Sequence, residues 1–121
     1  MTLNNLTLKQ KILQMFISGF NGRNFADNQY FSEMLQSGLG GVIFFTHNID
    51  NEKQFKTLIS DIAYNAVIPM FYSIDQEGGR VERTEKIHNG KKYLSAKPAF
   101  EMGLSFLQNQ TKEIALELKS Y

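Results

Sequence analysis

A chain of 121 residues fits one domain at most, and 42% hydrophobic with 21% charged residues exclude a disordered or fibrous polymer. Thirteen basic residues against twelve acidic ones leave a formal charge of +1, which removes any bulk electrostatic case for nucleic acid or an anionic membrane. Cysteine is absent, which excludes disulfides and thiolate metal sites and fits a reducing compartment. The first residues carry no basic segment followed by an apolar core, and no apolar run approaches the roughly 20 residues of a membrane span, so a cytoplasmic protein is expected.

Thr7 and Gln10 form a capping-box pattern at a helix start, and Leu8, Ile12, Met15 and Phe16 follow at near-helical spacing, predicting a helix that faces a core. Residues 16–20 suit a first short strand, closed by the polar stretch Asn21-Gly22-Arg23-Asn24. A helix is predicted over 28–37, with Phe31, Met34 and Leu35 inward and Gly38 as its stop. The glycines of 38–41 precede the apolar run Val42-Ile43-Phe44-Phe45. Phosphate loops follow a strand and open a helix, so a tight helix-to-strand turn into a second, buried strand is expected. His47 then lies at that strand's C-terminal tip; without a second ligand at metal spacing it reads as a half-exposed loop histidine.

Asp50 or Asn51 suits a helix N-cap, and Phe55, Leu58, Ile59, Ile62 and Ala63 recur at i, i+3, i+4, i+7 and i+8, predicting a helix. Residues 67–74 read as a third, buried strand with Pro69 near its start. Asp75 and Glu77 follow at the strand tip, where ligands bind in α/β folds, with Gly78 and Gly79 free to bend the chain and Arg80 and Arg83 able to fold back beside the carboxylates. Residues 84–97 are expected to be a solvated loop with a turn at Asn89-Gly90, and a last helix is expected from about Pro98 or later to Tyr121, with Ile114, Ala115 and Leu118 on one face. The alternation of strand and helix predicts an α/β fold with parallel strands; it does not separate a barrel from an open sheet.

Four ordered blocks carry a resemblance: 6–16 (LTLKQKILQMF), 38–45 (GLGGVIFF), 74–83 (IDQEGGRVER) and 113–121 (EIALELKSY). Together they resemble the glycoside hydrolase family 3 N-terminal domain, nearest to its β-N-acetylhexosaminidase branch, which trims N-acetylglucosamine from peptidoglycan fragments. The resemblance implies that residues 1–121 are a partial domain: a leading helix and about the first three β/α units of a (β/α)8 TIM barrel. Asp75 and Arg83 match sugar-binding positions, while Glu77, Arg80 and His47 are expected to support or fix the loops; His47 stands where similar members often carry arginine, and a sugar contact for it is the alternative.

Retaining hydrolysis takes a nucleophile and a proton donor, about 5–5.5 Å apart when both are carboxyls. Asp75 and Glu77 are spaced to share one strand face, yet in similar enzymes the nucleophilic Asp lies far downstream, and the acid/base His follows a Lys-His…Pro-Gly motif. Neither motif is in this sequence, so no catalytic residue is expected among these 121, nor any metal or cofactor. An N-acetylglucosaminide is the implied substrate, and activity is expected to need the remainder of the barrel or a complementing chain. A non-catalytic sugar- or partner-binding remnant, a family 3 β-glucosidase fragment and a decayed reading frame are the alternatives.

Overall fold

The computed structural model describes residues 3–88 and 91–121; the turn expected at Asn89-Gly90 lies outside the described residues. The first helix, α1 (Leu8–Leu13), starts where the capping box predicts. Gln10 N–H donates to Thr7 Oγ1 at 3.2 Å and Thr7 N–H donates to Gln10 Oε1 at 2.9 Å. The expected core-facing stripe is not observed. Leu8 is 74% and Met15 83% exposed, and α1 buries no residue. Polar ties secure this segment instead: Gln14 Nε2–H donates to the carbonyls of Gly38 and Leu39, and Lys9 Nζ–H to Ser37 Oγ.

Three parallel strands form the sheet, in the order β1 (Ile17–Ser18), β2 (Gly41–Phe44), β3 (Phe71–Ile74). Ile17 pairs with Gly41, and the β2–β3 register runs from Gly41↔Phe71 to Phe44↔Ile74. The alternation of elements therefore yields an α/β sheet whose C-terminal strand ends all lie on one side. Helix α2 (Gln29–Ser37) stops at Gly38 as expected and buries Phe31 and Leu35, with Met34 packed partly against the core. Helix α3 (Glu52–Asn65) is capped by Asn51, whose Oδ1 accepts from Gln54 N–H at 2.9 Å, and buries Phe55, Leu58 and Ile62, while Ala63 stays exposed.

The core is aromatic. Phe44 on the central strand meets Phe55 edge-on at 5.1 Å and Phe20 at 6.4 Å, and Phe20 meets Phe31 at 4.6 Å. Each such buried ring contributes roughly 1.5–3 kcal/mol of transfer free energy, so this cluster holds the helices to the central strand. The third strand departs from its expected burial: only residues 71–74 pair, and Phe71 is 77% exposed. Among the described residues β3 is an edge strand with a partner on one side only, and Phe71 and Tyr72 stay exposed.

Two further expectations are corrected. The segment after residue 83 is no solvated loop, since Thr84, Ile87, His88 and Tyr93 are all buried. The last helix is two, α4 (Ala96–Glu101) and α5 (Leu104–Lys119), because Gly103 takes φ +102°, a conformation no helix interior accommodates. Ile114 and Leu118 are half-buried on α5, but Ala115 is exposed.

Open edges on β1 and β3, beside exposed Phe71, Phe16 and Met15, are templates for pairing with other chains. The isolated chain is expected to self-associate or to melt without a sharp transition. Sedimentation velocity across a dilution series should show mass rising with concentration, and a cooperative melt from a strict monomer would contradict this.

Candidate functional site

Asp75 follows Ile74, the last residue of β3, and stands in the break before a hairpin of β4 (Gln76–Gly78) and β5 (Val81–Glu82). Asp75 and Glu77 are both exposed, with the half-buried Gln76 between them. The hairpin is antiparallel, with Gln76 opposite Glu82 and Gly78 opposite Val81. Its turn depends on Gly78, at φ +79°. A Cβ there would stand 2.4 Å from the Leu94 carbonyl oxygen, so the hairpin folds down against the segment that follows it. Gly79 N–H completes that contact by donating to the Tyr93 carbonyl at 2.8 Å.

Gln76 holds the hairpin and what comes after it. Its Oε1 accepts from Arg83 N–H at 2.7 Å and Thr84 N–H at 3.4 Å, and its Nε2–H donates to Thr84 Oγ1 at 3.0 Å. The Arg83 backbone is thereby fixed, and its side chain turns toward Asp75, with Nη2 3.9 Å from Oδ2. At that separation the two charges attract without a hydrogen bond, so the hydrogen-bonding capacity of each is open to a third group. The Asp75 side chain is 49% exposed and that of Arg83 25%. Arg83 Nε–H is buried and donates to no acceptor among the described residues. The guanidinium carbon lies over the Phe45 ring, 5.5 Å from its centroid.

Glu77 and Arg80, expected to fix the loop, are exposed and make no hydrogen bond or ion pair among the described residues. Glu82 does that work from a buried position. Its Oε1 accepts from Tyr93 N–H at 3.0 Å, with His88 Nε2 at 3.8 Å and the His88 ring stacked on Tyr93. Tyr93 O–H then donates to Glu117 Oε2 at 2.8 Å, and Gln110 exchanges two hydrogen bonds with the Leu94 backbone. Hairpin, loop and α5 form one polar network. Sequence reasoning assigned Glu82 no role of its own; its signal was its place opposite Gln76 across a glycine turn.

His47 sits past the C-terminal end of β2, exposed, with Nε2 3.1 Å from the Phe20 carbonyl and its ring stacked on Phe45 at 5.7 Å. A carbonyl only accepts, so the proton of a neutral His47 resides on Nε2. Its fully buried neighbour Asn48 was missed: Nδ2–H donates to the carbonyls of Phe20 at 3.0 Å and Gly22 at 2.6 Å, and Oδ1 accepts from Phe45 N–H at 2.8 Å. Asn48 thus ties the tip of β1 to the tip of β2. Among the described residues, no group of three or more His, Asp or Glu side chains is placed to hold a metal ion, and no helix is long and apolar enough to cross a membrane.

The family model for the glycosyl hydrolase family 3 N terminal domain matches residues 7–117. A β-hexosaminidase of Haemophilus influenzae is 36% identical over 67 residues, covering 55% of this chain and 18% of its own length. A glycoside hydrolase family 3 β-N-acetylglucosaminidase from Paenibacillus sp. strain FPU-7 superposes with TM-score 0.59 at 36% identity, over 64% of this chain and 15% of that one. NagZ from Neisseria gonorrhoeae, solved with N-trifluoroacetyl-D-glucosamine, superposes with TM-score 0.55 at 25% identity, over 71% of this chain and 24% of that one. The chain therefore spans under a quarter of the length of each of these relatives.

Gly78→Ala is expected to destabilise the fold by more than the ~1–2 kcal/mol that a left-handed conformation costs an L-residue, because the Leu94 carbonyl must also move; chemical denaturation measures it. A second expectation concerns alkaline pH. Burial foremost, then the hydrogen bond to Glu117, pushes the Tyr93 phenol above its ordinary value of 10.0, and burial and the Glu117 charge do the same to Tyr121. Below pH 10.0 both states keep these protons; above it the unfolded chain releases them first, so stability falls as pH rises. Tyr93→Phe should make that fall shallower, and an unchanged slope would refute the assignment.

Proposed function

Because the chain belongs to the glycosyl hydrolase family 3 N-terminal domain family, we propose that it supplies the sugar-binding part of a β-N-acetylhexosaminidase. The reaction is hydrolysis of terminal β-N-acetylglucosamine residues, with recycling of peptidoglycan fragments in the cytoplasm as the setting. The observation that carries this reading is the pair Asp75 and Arg83, close together at the C-terminal ends of the parallel strands within the matched residues.

In this reading Asp75 accepts hydrogen bonds from two sugar hydroxyls, and the Arg83 guanidinium donates to sugar oxygens while its charge orients Asp75. The 3.9 Å gap between them leaves each group's hydrogen-bonding positions free for the sugar. His47 and the hairpin residues Glu77 and Arg80 border the same end of the sheet, where Glu77 and Arg80, exposed and unpaired among the described residues, suit contacts with the rest of a long substrate. No catalytic group is assigned within these residues, and the reaction invokes no metal or cofactor. The three β/α units make the opening part of a (β/α)8 barrel, all of residues 1–121 belonging to that one partial domain. The unpaired edge of β3 and the exposed Phe71 support this, since a fourth strand would cover both. Hydrolysis then requires the remaining strands, in the same polypeptide or a complementing one.

Titration calorimetry with N-acetylglucosamine at millimolar concentration tests the proposal. Heat is expected from the wild-type chain and none from Asp75→Ala. Silence from the folded wild type would overturn it, and a preference for glucose would move the assignment to the β-glucosidase branch.

A further inference from the structure

We propose that Phe45 is a positioning residue for Arg83, its ring carrying the guanidinium and holding it toward Asp75; its effect on affinity rests on the sugar-binding reading of that pair. Three features of Arg83 make such a support necessary. Gln76 fixes its backbone N–H but makes no hydrogen bond to the side chain. Its attraction to Asp75 acts across 3.9 Å to a half-exposed carboxylate, where solvent weakens it and geometry is loosely defined. Its Nε–H, although buried, has no acceptor among the described residues to orient it. The Phe45 face lies 5.5 Å from the guanidinium carbon, inside the range of a cation–π attraction.

Phe45 is itself held firmly. Its N–H donates to Asn48 Oδ1 at 2.8 Å, and Asn48 is fully buried and bonded to two further carbonyls. The Phe45 edge packs on Gly19, where a Cβ would stand 3.2 Å from Cε2. The His47 ring stacks on Phe45 with an interplanar angle of 11°, and His47 is in turn tied to the Phe20 carbonyl at 3.1 Å. The platform therefore belongs to the β1 and β2 tips, whereas Arg83 arrives from the hairpin after β3. A rigid aromatic face from one side thus fixes a long cation from the other, which lowers the ordering that a ligand would otherwise impose on it.

The test compares Phe45→Leu, Phe45→Tyr and Arg83→Ala, with the double variant Phe45→Leu/Arg83→Ala. In proton–nitrogen NMR spectra the Arg83 Nε–H signal is expected to be ring-current shifted and slow to exchange in the wild type and in Phe45→Tyr. In Phe45→Leu it is expected to move toward the free-arginine position and exchange faster. By calorimetry, Phe45→Leu should weaken N-acetylglucosamine binding about three- to tenfold, the size of a partly exposed cation–π contact. In the Arg83→Ala background it should weaken binding no further. An Arg83 signal unmoved by Phe45→Leu would overturn the proposal, as would equal losses of affinity in both backgrounds. Wild type without sugar heat but with a shifted, Phe45-dependent Arg83 signal would retain the positioning role and overturn only the sugar reading.

Discussion

Gln76 accepts from the backbone N–H groups of Arg83 and Thr84 and donates to the Thr84 hydroxyl, and the polar groups after β3 are placed by that clamp. A carboxamide suits the task because it offers acceptor and donor at once, where a carboxylate only accepts. With it, the chain leaving β3 turns back within seven residues and delivers a guanidinium to the carboxylate it has just passed. Without it, Asp75 and Arg83 would be two solvated side chains on a glycine loop. The clamp works because Gly78 lets the hairpin lie against Leu94, and because Glu82, Tyr93 and Glu117 fasten the other side of the hairpin to α5.

Much of this fold is legible from spacing. Phe31 and Leu35, or Phe55, Leu58 and Ile62, announce their helices through a 3.6-residue period, and both helices bury those residues. The failures have physical causes. Leu8 and Ile12 carry the same period but belong to a six-residue helix held by polar ties to the turn after α2, so their apolar face lies open. The run before Asp75 is as apolar as β2, yet burial depends on neighbours in the sheet, which composition does not count. At the site, Asp75 and Arg83 stand out by type and position. Gln76, Glu82 and Asn48 do not, because their roles arise from partners 8, 11 and 28 residues away, and only folding reveals that Glu82 and Asn48 are buried.

The sheet is also unevenly finished. Its central strand is enclosed by an aromatic cluster and two capped helices, while both outer strands keep a free edge and several large apolar residues. A packed centre and open edges thus coexist in one small sheet. The polar site lies at the strand ends between them, its positions set by the finished part.

The long span of the hairpin's fastenings has a bearing on synthesis. The Glu82–Tyr93 contact must wait for Tyr93, the Leu94–Gln110 pair closes over 16 residues, and Tyr93 meets Glu117 across 24. Since residues emerge from the ribosome in order at roughly 5–20 per second, the β1–β2 platform has its full complement of partners seconds before the Arg83 hairpin does. A nascent chain of this sequence passes through an interval in which the aromatic ledge is built and its cation is still unfastened. The hairpin end is fastened later than the platform beside it, although most of its residues are translated well before the helix that secures it.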